Sequence, residues 1–124
     1  MDGDGSSGSH PYATGLRWDL DLSKPAGSRL SNLEVKDRAT GNWTNLDMNA
    51  TYVVVTNDFI AEGRDGYTTF GEIFKDANKV EDTKLLYTQS FIDYVEKVGT
   101  ISRPDRDDYS HKTVITADGK MLNP

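Results

Sequence analysis

The sequence predicts an α+β fold, with a mixed or mainly antiparallel sheet, one main helix and short helices beside it. Three observations predict it. Residues 16–22 alternate strictly between apolar and polar side chains. Residues 52–56 are β-branched and apolar almost throughout. Residues 83–98 carry apolar side chains at steps of three and four.

The first strand is read from that alternation. Leu16, Trp18, Leu20 and Leu22 share one face, and Arg17, Asp19 and Asp21 share the other. That is a half-buried strand. Lys24, Pro25, Ala26 and Gly27 break it as a turn. Residues 30–36 alternate more weakly, with Leu33 and Val35 on one face, and are a second strand. Thr40, Gly41 and Asn42 form a turn, after which Trp43 begins a short edge segment.

Tyr52, Val53, Val54, Val55 and Thr56 read as a strand covered on both faces. A short helical turn and a glycine-rich loop follow over residues 57–67, and residues 69–74 suit another short helix. In the main helix, Tyr87, Phe91, Tyr94, Val95 and Val98 make one apolar stripe. Asp82 or Thr83 can cap its start and Gly99 can end it. A polar loop over residues 103–108 leads to a terminal strand at residues 113–116 and a turn at residues 117–120.

Composition narrows the function classes. The chain has 124 residues, with 20 acidic and 14 basic side chains and a net charge of −6. That balance argues against a nucleic-acid partner, which needs a basic face to replace phosphate counterions. No stretch approaches the ~20 apolar residues of a membrane span. Cysteine is absent, which excludes disulfides, thiolate nucleophiles and cysteine-bound zinc. Two histidines, His10 and His111, cannot make a three-histidine metal site. Residues 1–10 are mostly Gly, Ser and Asp and read as a linker or loop, leaving residues 11–124 as the folded part.

Several patterns imitate chemistry. Gly3, Gly5 and Gly8 match a dinucleotide-loop spacing but lack the preceding strand and following helix that bring phosphate to a helix N-terminus. Asp2, Asp4 and Ser6 resemble the start of a calcium loop whose closing position is Ala13, not glutamate. Asp19 and Asp21 on one strand face read as exposed alternation rather than a cation site. His111 beside Ser110 lacks a third partner and a nucleophile elbow. Asn42 and Asn49 lie in glycosylation triplets, which matter only in a eukaryotic secretory setting.

The loop at residues 57–67 is the informative one. A glycine-rich turn lets backbone approach a ligand closely. Phe59 offers a flat π-face, and Asp65, between Gly63 and Gly66, offers two acceptor oxygens. An aromatic face with a carboxylate suits a nucleoside. The base stacks for about 1–3 kcal/mol, and the ribose diol donates charge-assisted hydrogen bonds. The plainer reading keeps Phe59 in the core and gives Asp65 a turn-stabilising role.

Residues 52–67, Tyr-Val-Val-Val-Thr-Asn-Asp-Phe-Ile-Ala-Glu-Gly-Arg-Asp-Gly-Tyr, resemble the signature of the 5′-nucleotidase C-terminal domain family. That pattern is a Tyr-led apolar strand, then Asn-Asp-Phe or Asn-Phe, then Gly-Gly-Asp-Gly with an aromatic. Three further stretches agree. Gly5-Ser6-Ser7-Gly8 through Thr14-Gly15-Leu16-Arg17-Trp18 is similar to the family's approach to this strand. Lys24-Pro25-Ala26-Gly27-Ser28-Arg29 resembles its Pro-x-Gly-x-Arg turn, and residues 87–94 resemble its late helix.

The resemblance implies that Phe59 is one of two rings sandwiching a nucleobase and that Asp65 binds the ribose hydroxyls. Asn57, Gly63, Gly66 and Tyr67 would shape the loop. Arg64 departs from the pattern by replacing its second glycine; it would resist a positive φ, or add a cation near the ligand. The resemblance further implies a periplasmic, cell-surface or secreted setting and a nucleotide or nucleoside as ligand. No catalytic residue, cofactor or metal site is expected in this chain. A divalent metal pair belongs to an N-terminal metallophosphoesterase domain, which this chain lacks together with the first half of the C-terminal domain. A protein with those parts would hydrolyse phosphate esters with metal-activated water; this chain alone is expected to be inactive. A half-domain leaves apolar faces uncovered, so a partner segment or a homo-oligomer is expected. A non-catalytic binding or interaction module on the same fold is the alternative.

Overall fold

The computed structural model describes residues 9–122, which fall into two compact units. One unit takes the chain up to Thr51 together with the residues from Pro104 on; the other is Tyr52–Arg103. The glycine and aspartate patterns within residues 2–8 lie outside the described residues, as does most of the expected linker.

The first unit is a five-stranded mixed sheet. Its centre is β1, Leu16–Asp21. The alternation does what it predicts: Trp18 and Leu20 turn to one face and are 4% and 2% exposed, the most buried apolar side chains described. A turn follows, in which Asp21 Oδ1 accepts from the Ser23 amide at 3.0 Å and the Ser23 hydroxyl at 2.6 Å. The chain returns as β2, Leu30–Lys36, and then as the short edge strand β3, Trp43–Asn45. Asp37 Oδ1 organises the turn between them by accepting the amides of Ala39 at 2.9 Å and Thr40 at 2.7 Å. On the other side of β1 lies β4, His111–Ile115, followed by β5, Met121–Leu122, at the far edge. The order is β3-β2-β1-β4-β5, with β1 and β4 parallel and every other pair antiparallel. β5 is too short to carry a period and was not legible in the sequence.

Both neighbours of β1 bulge at Trp18 and Asp19. From Arg17 to Asp19, β2 advances from Glu34 to Ser31; from Trp18 to Asp19, β4 advances from His111 to Thr113. Asn32 adopts a positive φ of 49° there, as a residue with a short polar side chain can. The bulges aim polar groups at Asp19, which accepts from Asn32 Nδ2 at 2.6 Å and Thr113 Oγ1 at 2.8 Å. Burial alone would raise its pKa; those two bonds and the charge of Lys112 outweigh it and hold the carboxyl below its ordinary value. Asp19 is therefore a structural acceptor, not one of a row of free surface charges.

The second unit is helical, with α1 at Asp58–Ala61, α2 at Thr68–Phe74 and α3 at Tyr87–Val98. The buried strand expected at residues 52–56 is not formed. That segment is in no strand, and Val53 and Val55 are 92% and 90% exposed. The physical reason is that β-branched composition suits a sheet without supplying one. A strand is held by a neighbour's backbone groups, and this unit holds no other strand among its described residues.

α3 also starts later than its periodicity suggests. Asp82 Oδ1 accepts the Lys84 amide at 2.9 Å, and Lys84 takes a φ of 57°, which no helix tolerates. Neither Asp82 nor Thr83 caps it; Leu86 stands at the cap position with no side-chain bond. Its end is as expected. Gly99 takes φ 75° and its amide donates to the Val95 carbonyl at 2.8 Å. Tyr87, Phe91 and Tyr94 of the apolar stripe are all exposed.

Candidate functional site

The loop at residues 57–67 is held by three devices. Asn57 is the N-cap of α1, its Oδ1 accepting the Ile60 amide at 2.9 Å. This places Phe59 in the first turn of α1, where its side chain is 50% exposed. Phe59 is thus not a core residue.

The second device is a close approach of two backbones. Gly63, at φ 87°, closes α1, and a Cβ there would fall 2.9 Å from the Gly71 Cα. A Cβ on Gly71 would in turn fall 2.9 Å from the Glu62 carbonyl oxygen. The loop and α2 touch main chain to main chain, which only glycine permits. Gly71 escaped the sequence reading, although a glycine inside a helical stretch is itself a signal of close packing.

The third device is a single 3₁₀ turn, Arg64–Gly66. Asp65 takes φ 53°, ψ 28° and Gly66 takes φ 84°. Arg64 is not among the residues with positive φ. The left-handed positions are 63, 65 and 66, and the side chain that bears the strain is that of Asp65, an aspartate, which tolerates it.

Around this turn, the Arg64 guanidinium lies 5.9 Å from the Phe59 ring centroid and 3.5 Å from the Glu62 carboxylate. Tyr67 stacks on Phe70, with centroids 5.8 Å apart and planes 13° from parallel. Burial, and then the charge of Asp65, push the Tyr67 phenol above its ordinary pKa. Tyr67 is a donor at neutral pH. Phe70, three residues on, was not singled out by sequence.

Other candidates fall away. Ser110 Oγ lies 3.1 Å from His111 Nδ1, but the two are only 5% and 9% exposed, so no substrate reaches the hydroxyl. Among the described residues no three His, Cys, Asp or Glu side chains gather as a metal site needs. No helix among the described residues is long and apolar enough to cross a membrane.

Residues 1–72, which include the whole of this loop, match the family model described as 5′-nucleotidase, C-terminal domain. The chain belongs to that family. A NAD 5′-nucleotidase of Haemophilus influenzae is 42% identical over 97 residues, which are 76% of this chain and 16% of that protein. A probable 5′-nucleotidase of Treponema pallidum is 38% identical over 75% of this chain and 16% of its own length. The crystal structure of a 5′-nucleotidase precursor from Thermus thermophilus superposes with a TM-score of 0.61 at 41% identity, over 72% of this chain and 17% of that one. The α+β architecture is that of a 5′-nucleotidase C-terminal domain. This chain spans about a sixth of each of these relatives' lengths. The relatives are longer proteins, and this segment corresponds to part of one.

Proposed function

We propose that this chain is the nucleoside-binding part of a 5′-nucleotidase-type metallophosphoesterase, an enzyme that hydrolyses nucleotides to nucleoside and phosphate. The observation that carries the reading is the Phe59–Asp65 loop, with an exposed ring on a capped helical turn and a carboxylate held in a left-handed turn between glycines. Phe59 stacks the base and Asp65 accepts hydrogen bonds from the ribose hydroxyls. Asn57, Gly63, Arg64, Gly66 and Tyr67 hold those two in place.

In this reading residues 11–124 are a partial substrate-binding domain and residues 1–10 a linker whose last residue, His10, packs on His111 of the sheet. The rest of the C-terminal domain and a metallophosphoesterase domain with its divalent metal pair come from other chain segments, in a periplasmic, cell-surface or secreted protein. When bound, that metal pair supplies the activated water. The exposed run at residues 52–56 and the exposed stripe of α3 favour a covering partner, either those segments or a second copy of the chain.

The test is steady-state kinetics with AMP on a full-length enzyme that carries this segment. Phe59→Ala is expected to raise KM by one to two orders of magnitude, as the loss of about 1–3 kcal/mol of stacking requires. Asp65→Ala is expected to do likewise. Unchanged KM and kcat/KM in both would remove the site. A non-catalytic module is the second reading, favoured by Arg64, whose guanidinium sits toward the ring that the base would need. Nucleoside binding restored or strengthened by Arg64→Gly, without turnover, would support that module.

A further inference from the structure

We propose that His10 and His111 form an acid-opened latch that holds residues 9–12 against the sheet. The two side chains come from opposite ends of the sequence, 101 positions apart, and their Nε2 atoms meet at 2.9 Å. The rings are nearly parallel, 16° apart, with centroids at 4.8 Å. A contact of this kind requires one nitrogen to bring a proton and the other a lone pair. The pair accommodates no charge or one charge. It cannot accommodate two, because both Nε2 atoms would then be donors and both rings cationic.

The surroundings make that limit matter. His111 is buried on β4, with Ser110 Oγ at its Nδ1 and the Trp18 ring edge-on at 5.0 Å. Tyr12, from the same segment as His10, packs edge-on against His111 at 5.7 Å. Among the described residues, Tyr12 from the segment, Trp18 from β1 and Ser110 beside β4 face the pair. The charged residues of those strands are engaged elsewhere. Arg17 and Lys112 bond to Glu34, Asp19 bonds to Asn32 and Thr113, and Asp21 accepts from Ser23. Among the described residues, no carboxylate shifts the titration of His111. Burial, and then the charge of His10, hold its pKa below the ordinary value. The closed form therefore binds protons less readily than the open one, so falling pH favours release.

When the second proton arrives, residues 9–12 leave the sheet, the side of His111 that His10 and Tyr12 cover becomes wet, and the Trp18 ring, edge-on to His111, senses the change. This operates in the sheet unit and is independent of the nucleoside reading.

The test is NMR on the whole chain, from about pH 8 to about pH 4.5, spanning the histidine range. It follows both His Cε1–H signals and the Trp18 Nε1–H signal. The Trp18 signal is expected to move in one step below about pH 6.5, the unperturbed histidine value, together with His111. In His10→Gln the amide can still bond to His111 but cannot gain charge, so that step should be lost. An equal Trp18 step in His10→Gln overturns the latch. Should that variant not fold, the unsubstituted chain decides alone: two independent histidine titrations with a stationary Trp18 signal overturn it too.

Discussion

Lys112 Nζ donates to the backbone carbonyl of Asn32 at 2.6 Å, linking the two bulges that flank β1. The same ammonium reaches Glu34 Oε2 at 3.1 Å. One side chain of β4 thus bonds twice to β2, across β1, where both ladders are interrupted. Lys112→Met keeps the aliphatic stem and removes both bonds. It is expected to cost about 1 kcal/mol, read as a lower urea midpoint at unchanged slope. An unchanged midpoint would show that the bulges hold themselves.

Glu34 collects two cations on one oxygen, Arg17 Nε at 2.7 Å and Lys112 Nζ at 3.1 Å. The bond from Arg17, then that from Lys112, keeps the carboxyl below its ordinary pKa. A lowered folded pKa gives stability that is complete above the unfolded carboxyl value, about 4.3. That stability is lost as pH falls through the folded value. Glu34→Gln should therefore flatten the stability–pH curve on the acid side of about pH 4.3. Parallel curves for the two proteins would refute the assignment.

Gly63 and Gly71 meet backbone to backbone. Gly71→Ala places a methyl 2.9 Å from the Glu62 carbonyl oxygen and is expected to cost about 1–3 kcal/mol through overpacking. Gly63→Ala adds a positive φ to a clash of the same size and should cost more. Gly66→Ala meets nothing within 4 Å and should show strain alone. Amide exchange across α1 and α2 ranks the three, and equal protection in all of them would contradict the close approach.

Asn57 caps a helix of only four residues. Asn57→Ala should cost about 1 kcal/mol, and Asn57→Asp should cost little because a carboxylate accepts the same amide. The readout is the carbon chemical shifts of residues 58–61. Helical shifts that survive in the alanine variant would mean that α2 packing, not the cap, holds Phe59 in place.

What the sequence determined by itself is local. The period of two in residues 16–22 made β1 and chose Trp18 and Leu20 as its buried face, because alternate side chains leave a strand on opposite sides. The step of three and four around Phe91 made α3, Gly99 stopped it, and the glycine–aspartate pattern marked the turn at residues 63–66. The family resemblance was legible there for the same reason: its motif is a local backbone shape.

Tertiary structure decided what depends on distant partners. Residues 52–56 have strand composition but no ladder to join, so they stay outside the sheet. The parallel pairing of β1 with β4 joins segments 93 positions or more apart, and with it came the bulges, the burial of Ser110 and His111, and the meeting of His10 with His111. Periodicity carries the orientation of a side chain relative to its own backbone. Which other backbone lies beside it is set by long-range pairing, and single-sequence patterns do not encode that.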